Sequence, residues 1–244
     1  MTTSIVIPSY NEGTYIGRLL KALTKQTFRD FEVIVSDARS KDGTKEIVSS
    51  FKDKLNIKFI QSPPKGPAHG RNEGAKHASG EWLLFLDADV DLGNNAFIKT
   101  LLSEVQKKGW KTASTRLKAR HATLFDRLGI GIHHTYLRLL THTKHPVAPG
   151  FCILTRRKLF EHAKGFDESL WVAEDYDYVS RTAQYGFGFV NSTYYYVDLR
   201  RFHEGGKIRV FLQSVGYEIY RFTHGFKIKQ DPFKYKFGHH RERR

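Results

Sequence analysis

Cysteine is all but missing from this chain of 244 residues. Cys152 stands alone, which excludes an intramolecular disulfide and any cysteine-based zinc site. The chain opens with Met1-Thr2-Thr3-Ser4-Ile5, where a secretory leader would show a basic segment followed by an apolar one. The expectation is a protein made and kept in a reducing cytosol. Long apolar runs are also missing. None approaches the roughly 18 residues that span a bilayer, so membrane contact is expected only at the surface. Acidic residues are few beside basic ones, 25 against 40, which gives a formal net charge of +15. That excess leaves three partner classes open: nucleic acid, an anionic membrane surface and phosphorylated substrates. Two phosphate-binding signatures are lacking as well. No Gly-x-Gly-x-x-Gly follows the first predicted strand, and Gly43-Thr44 is not part of a Walker-type loop.

What is present is enough to build a core: 40% hydrophobic and 14% aromatic residues, fitting one domain with an appendage. The first half alternates β-branched runs with helical patterns, which predicts βαβ units and an α/β fold with a largely parallel sheet. Predicted strands are Ser4-Ile5-Val6-Ile7, Phe31-Glu32-Val33-Ile34-Val35, Ile57-Lys58-Phe59-Ile60 and the run Trp82 to Leu86. Between them, Ile16, Leu19, Leu20 and Leu23 share one helical face; Ile47, Val48 and Phe51 mark a second helix; Ala68, Ala75 and Ala78 mark a third. Pro63-Pro64-Lys65-Gly66-Pro67 must be a loop. Beyond Asp91, helices are expected through Ile98 to Val105 and through Ile208 to Phe222, with strands at Thr112 to Thr115 and Gly150 to Leu154. The stretch from His121 to Leu140 reads either as a core-packed helix or as one lying on a membrane or lining an acceptor groove. Charge is uneven. From Arg200 to Arg244 there are twelve Lys or Arg against four acids, a net +8, with Phe233, Tyr235 and Phe237 among the terminal lysines.

The most informative segment is Phe85-Leu86-Asp87-Ala88-Asp89, an apolar strand that ends in Asp-x-Asp. Carboxylates at alternate positions of an extended segment point the same way. They suit a hard divalent cation, Mg²⁺ or Mn²⁺, which keeps positions open for substrate phosphate oxygens; taken alone, the segment reads first as an acidic turn, and the motifs around it tip the balance. In order along the chain, the strand ends also carry Ile7-Pro8-Ser9-Tyr10-Asn11-Glu12, then Val35-Ser36-Asp37 through Thr44, then Gly70-Arg71-Asn72-Glu73-Gly74. Gly150, Gly165-Phe166-Asp167-Glu168 and Glu174-Asp175 follow. This order and spacing resemble the family 2 glycosyltransferases, which have the GT-A fold, over roughly residues 4 to 205.

The resemblance implies a glycosyltransferase domain over residues 1–205, with a helix and basic extension over 206–244. It implies a UDP- or GDP-sugar donor, Mg²⁺ or Mn²⁺, inversion at the anomeric carbon, and a glycan or lipid-linked acceptor. The implied donor residues are Pro8, Tyr10, Glu12, Asp37, Arg71, Asp87, Arg200 and Arg201, with Asp37 accepting from a base N–H and Arg71 facing the nucleotide. Pro8 reads as shaping its loop, and Arg71 could instead pair with Glu12 or Asp37. Asp42 reads as a helix cap. Asp89 is the implied metal ligand, assisted by Asp87, with His203 as a further candidate; the pairs His133-His134 and His239-His240 lack partners at metal spacing. Asp175 is the implied general base with Glu174 beside it, although acids are favourable at a helix start in any case. Transfer to a polyprenyl phosphate, which needs little base assistance, is the second enzyme reading. A basic nucleic-acid- or membrane-binding protein on the same fold is the rival from another class; it would have no need for Asp37, Asp87, Asp89 and Asp175. Location is expected to be cytoplasmic, with the basic tail as a possible contact to the membrane face.

Overall fold

The computed structural model describes residues 2–120, 122–170, 172–199, 207–224 and 228. Arg200, Arg201, His203, His239-His240 and the aromatic residues of the basic tail lie outside the described residues. The elements run β1 (Thr3–Ser9), α1 (Gly13–Thr24), β2 (Phe31–Asp37), α2 (Thr44–Ser49), β3 (Ile57–Gln61), α3 (Pro67–Lys76), β4 (Trp82–Leu86), β5 (Asp91–Leu92) and α4 (Phe97–Lys108). They continue through β6 (Thr112–Ala119), α5 (Leu124–Leu140), β7 (Cys152–Arg156), α6 (Arg157–His162), α7 (Glu174–Thr182), β8 (Phe187–Val197) and α8 (Lys207–His224).

The strands form one sheet in the order β3-β2-β1-β4-β7-β6-β8-β5. Its first four strands are parallel, as expected from the alternating pattern. Beyond them, β7 runs antiparallel to both β4 and β6, and β5 is antiparallel to β8, while β6 and β8 are parallel. The two-residue β5 and the short helix α6 are too brief to leave a periodic signal in the sequence.

Period-two alternation divides the core. Ile5, Ile7, Leu84 and Leu86 face one side, packing with Leu19, Leu20 and Leu23 of α1 and Leu101 and Val105 of α4. Val6, Leu83 and Phe85 face the other, packing with Ala68, Phe160, Phe166, Tyr178 and Val179. All of β4 is buried, as a strand covered on both faces must be. The parity places Asp87, two residues past Phe85, on the side of α3 and α7. A Cβ at Gly74 would lie 2.4 Å from Val6 Cγ1, so glycine there lets α3 press onto β1 and carry Arg71 to the end of the sheet.

The stretch read as either core-packed or surface-lying has features of both. Leu137 and Leu140 are buried, whereas Leu124, Phe125, Leu128, Ile132 and Leu139 are exposed. No helix among the described residues is long and apolar enough to cross a membrane.

Candidate active site

β1, β2 and β4 end at one edge of the sheet. β7 starts beside the end of β4, with Leu86 paired to Cys152 and the Asp87 N–H donating to the Phe151 carbonyl. The strand order reverses between β1 and β4, where open α/β sheets bind ligands. A cavity of about 770 Å³ opens there. One flank is built by Pro8, Tyr10, Glu12, Ser36, Ala38 and the loop around Pro64 and Gly66; Asp87, Asp89 and Arg71 line it too, and Glu174, Asp175, Tyr217 and Glu218 form another wall.

Arg71 is the hub. Only 3% exposed, it donates through Nη1 to Glu174 Oε1 at 2.7 Å and through Nη2 to Asp87 Oδ1 at 2.8 Å. Its partners are therefore Asp87 and Glu174, not the Glu12 or Asp37 that stood as the alternative to a nucleotide role, because α3 aims its side chain at the end of β4. Despite burial, the acids around it hold its pKa above the ordinary arginine value. A Cβ at position 150 would lie 2.5 Å from Arg71 Nη2 and 3.1 Å from Asp175 Oδ2, so Gly150 is required by this close approach.

Asp175 follows Ala173, whose φ of 62° is a left-handed backbone that strains an alanine at the start of α7. The turn points the Asp175 carboxylate at backbone donors: the Gly150 N–H to Oδ2 at 2.5 Å and the Tyr176 N–H to Oδ1 at 2.8 Å. Burial, and then the neighbouring Glu174 charge, outweigh these bonds and raise its pKa to about 7. A carboxyl poised near neutrality is suited to taking up a proton.

On the donor flank, Tyr10 is 43% exposed and lines the cavity, while Asp37 is only 1% exposed. Asp37 accepts from the Ser9 hydroxyl at 2.7 Å, the Ser40 hydroxyl at 2.5 Å and the Ser40 N–H at 2.8 Å. A carboxylate has about four acceptor positions, so capacity for one more donor remains. Asp42 does more than cap: it accepts from the Thr44 N–H at 3.2 Å and from the Gly13 N–H at 2.8 Å, tying the starts of α1 and α2 together. Cys152 takes no part; burial pushes its thiol pKa up.

The glycosyl transferase family 2 model matches residues 4–163, well over half of the chain. The chain belongs to this family. Among curated relatives, the Staphylococcus aureus poly(ribitol-phosphate) β-N-acetylglucosaminyltransferase TarS is 42% identical over 93 residues, covering 36% of this chain and 16% of TarS. The Campylobacter jejuni GalNAc(5)-diNAcBac-PP-undecaprenol β-1,3-glucosyltransferase is 36% identical over 107 residues, covering 43% of this chain and 34% of that protein. The chain thus spans about a third or less of these relatives. In three dimensions it matches S. aureus TarS in complex with UDP at a TM-score of 0.69 and 27% identity, covering 81% of this chain and 60% of that one. It also matches the Pyrobaculum calidifontis mannosyltransferase PcManGT in complex with GDP-Man and Mn²⁺ at 0.64 and 23%, covering 80% and 56%, a likeness of fold. The architecture is the GT-A fold.

Within this family 2 framework, the sequence-predicted residues Pro8, Tyr10, Glu12, Arg71, Asp87, Asp89, Glu174 and Asp175 all line one cavity. Asp37 sits beneath its wall. Asp87 and Asp89 both line this cavity, and their carboxylate oxygens are of the kind that suits a hard cation. Among the described residues, no group of three or more His, Cys, Asp or Glu side chains gathers that could hold a metal ion by itself. His134 is committed elsewhere, with Nε2 accepting from the Leu117 N–H at 3.2 Å. Sequence reasoning missed the wall from α8. Tyr217 and Glu218 line the cavity, and Arg221, 2% exposed, lies behind them.

Proposed function

We propose that this chain transfers a sugar, with inversion, from a UDP- or GDP-sugar to an acceptor hydroxyl. Asp175 is the general base, Glu174 stands beside it, and the transferase unit is residues 1–205 with α8 of the extension closing its acceptor side. The observation that carries this reading is the Asp175 carboxylate, poised near neutrality in a cavity that also presents Asp87 and Asp89.

Asp175 takes the proton of the acceptor hydroxyl as that oxygen forms its bond to the anomeric carbon. The bond from that carbon to the diphosphate breaks on the opposite face, and its electron pair leaves with the nucleoside diphosphate. Mg²⁺ or Mn²⁺, held by Asp89 and Asp87, would supply neutralising charge for the departing diphosphate. Arg71 orients Asp87 and Glu174 and fixes the acidic centre. Tyr10 and Asp37 hold the nucleotide base, and Pro8 and Glu12 shape the donor flank. Arg200, Arg201 and His203 keep the donor-side and metal roles that the family resemblance implies.

Transfer to a polyprenyl phosphate is disfavoured, because an anionic nucleophile needs no base and would meet one. The test is Asp175→Asn assayed on both acceptor classes. With a hydroxyl acceptor, turnover falls by about 10²–10⁴, while affinity for the nucleoside diphosphate is retained. In the wild type, kcat/KM rises with pH up to about 7 and then levels, since the base works only when deprotonated and its pKa is raised to about 7; the variant lacks this rise. Equal turnover of Asp175→Asn and wild type on a hydroxyl acceptor rejects the role.

The enzyme is further proposed to work at an anionic, cytoplasm-facing membrane surface. A charge of +15 and the exposed apolar residues of α5 support this.

A further inference from the structure

The acceptor must reach Asp175, so it enters along the wall made by the start of α7 and by α8. Tyr217 and Glu218 of α8 line that wall. Glu218 is not a loose surface acid. Arg221, 2% exposed, donates to Glu218 Oε2 through Nη2 at 2.6 Å and through Nε at 3.1 Å. The Tyr136 hydroxyl of α5 donates to the same oxygen, and Arg221 Nη2 reaches Tyr136 Oη at 3.0 Å. Burial and Glu218 raise the Tyr136 pKa, so its proton stays in place as a donor. The Arg221 guanidinium also lies 5.3 Å from the ring of Tyr176, the residue that follows Asp175. Three of these bonds, two from Arg221 and one from Tyr136, converge on Oε2, which leaves Oε1 of the same carboxylate to accept from a guest.

A buried cation that serves only a solvent-facing acid has no evident purpose, whereas one that fixes an acid in a cavity wall preorganises a binding group. The charge of the wall decides what it binds. Among the described residues, both cavity-side arginines are already matched by acids, Arg71 by Asp87 and Glu174 and Arg221 by Glu218, while Asp175 and Glu218 present acceptor oxygens. A neutral hydroxyl donates to such a wall. A phosphate oxygen is repelled by it.

We propose that Glu218, clamped by Arg221 and Tyr136, is the acceptor-binding residue of this enzyme and selects a neutral polyhydroxylated terminus, a sugar or a polyol, over an anionic phosphate. Tyr217 flanks that guest, and Arg221 is a positioning residue. The inference rests on the transferase reading above, and its test keeps the two apart.

Wild type and Glu218→Gln are assayed with UDP-GlcNAc and GDP-Man in Mn²⁺ against methyl glucoside, methyl N-acetylglucosaminide, ribitol and undecaprenyl phosphate. Binding of UDP and GDP is titrated in parallel. The wild type is expected to use a hydroxyl probe and to refuse the phosphate. Glu218→Gln keeps the shape and removes the charge, so acceptor KM rises about 10–100-fold, in line with the loss of a charge-assisted hydrogen bond, with kcat changed less than about 3-fold and nucleotide affinity unmoved. If the single variant does not fold, Glu218→Gln combined with Arg221→Met removes both buried charges together and is expected to show the same rise in KM. An unchanged acceptor KM in a folded variant overturns the inference. So does a parallel fall of kcat, acceptor affinity and nucleotide affinity, or a wild type that uses no hydroxyl probe. Failure of the wild type to bind either nucleotide refutes the transferase reading itself.

Discussion

Arg71 keeps a full positive charge at 3% exposure because two carboxylates surround it, and that pairing divides the labour between the two aspartates of the Asp-x-Asp. Asp87 has one oxygen fixed by Arg71 at 2.8 Å and is thereby oriented at the end of β4. Asp89, two residues further, lines the cavity, and in the proposed reading it is the principal oxygen donor for the ion. Removing Asp89 should therefore uncouple the metal from the nucleotide rather than empty the nucleotide site. A ligand at about a hundred times its Kd adds roughly 2.7 kcal/mol to native-state stability, a Tm rise of about 5–10 °C for a chain of this size. In the wild type this rise with UDP or GDP is expected to be larger in Mn²⁺ than in chelator. For Asp89→Ala it should be the same in both, with transfer abolished. Full wild-type transfer in excess chelator would falsify the metal requirement.

At the level of elements, the start of β7 and the start of α7 must meet almost without a gap, and Gly150 is where they do so. Its N–H holds Asp175 at 2.5 Å, and a Cβ there would lie 2.5 Å from Arg71 Nη2. Arg71 cannot swing aside, since both its carboxylate partners would lose it. Gly150→Ala should cost about 1–3 kcal/mol of stability through overpacking and, by displacing Asp175, about 10²-fold in turnover. Measured Tm and kcat check both; a variant with wild-type kcat would show that the clamp has slack. The sequence made part of this assembly legible. Period two along β4 gives the side on which Asp87 stands, and the apolar stripe of α1 predicts its buried face. The antiparallel insertion of β7 was not legible, because a buried apolar run carries no direction. Nor was the role of α8: Glu218 and Arg221 look like an ordinary solvent-facing pair at helical spacing, and only packing against Tyr136 and Tyr176 turns them inward. The raised pKa of Asp175 has the same origin, since it depends on burial by residues distant in sequence.

For the whole molecule, charge and apolar exposure coincide in a way that a freely dissolved enzyme does not need. Leu124, Phe125, Leu128, Ile132 and Leu139 stand exposed along α5, and Leu212, Val215 and Ile219 along α8. Tyr136 bonds Arg221 and Glu218 across these two helices, so the apolar residues belong to neighbouring elements beside the acceptor wall. Exposed apolar side chains gathered on two neighbouring helices point to an interaction site, and a protein carrying +15 is drawn to an anionic one. An anionic lipid surface meets both requirements, since each basic residue near it contributes about 1 kcal/mol while the leucines and phenylalanine enter the headgroup boundary. It would also bring a lipid-linked glycan to Glu218 with its hydroxyls foremost. The full chain is expected to sediment with phosphatidylglycerol vesicles at low salt and to be released as salt screens the attraction. Leu128→Asp with Ile132→Asp should weaken retention with nucleotide binding unchanged, and deletion of Lys227 to Arg244 should lower it further through lost charge. If the full chain stays in the supernatant even at low salt, the membrane assignment is wrong and the acceptor is a soluble one.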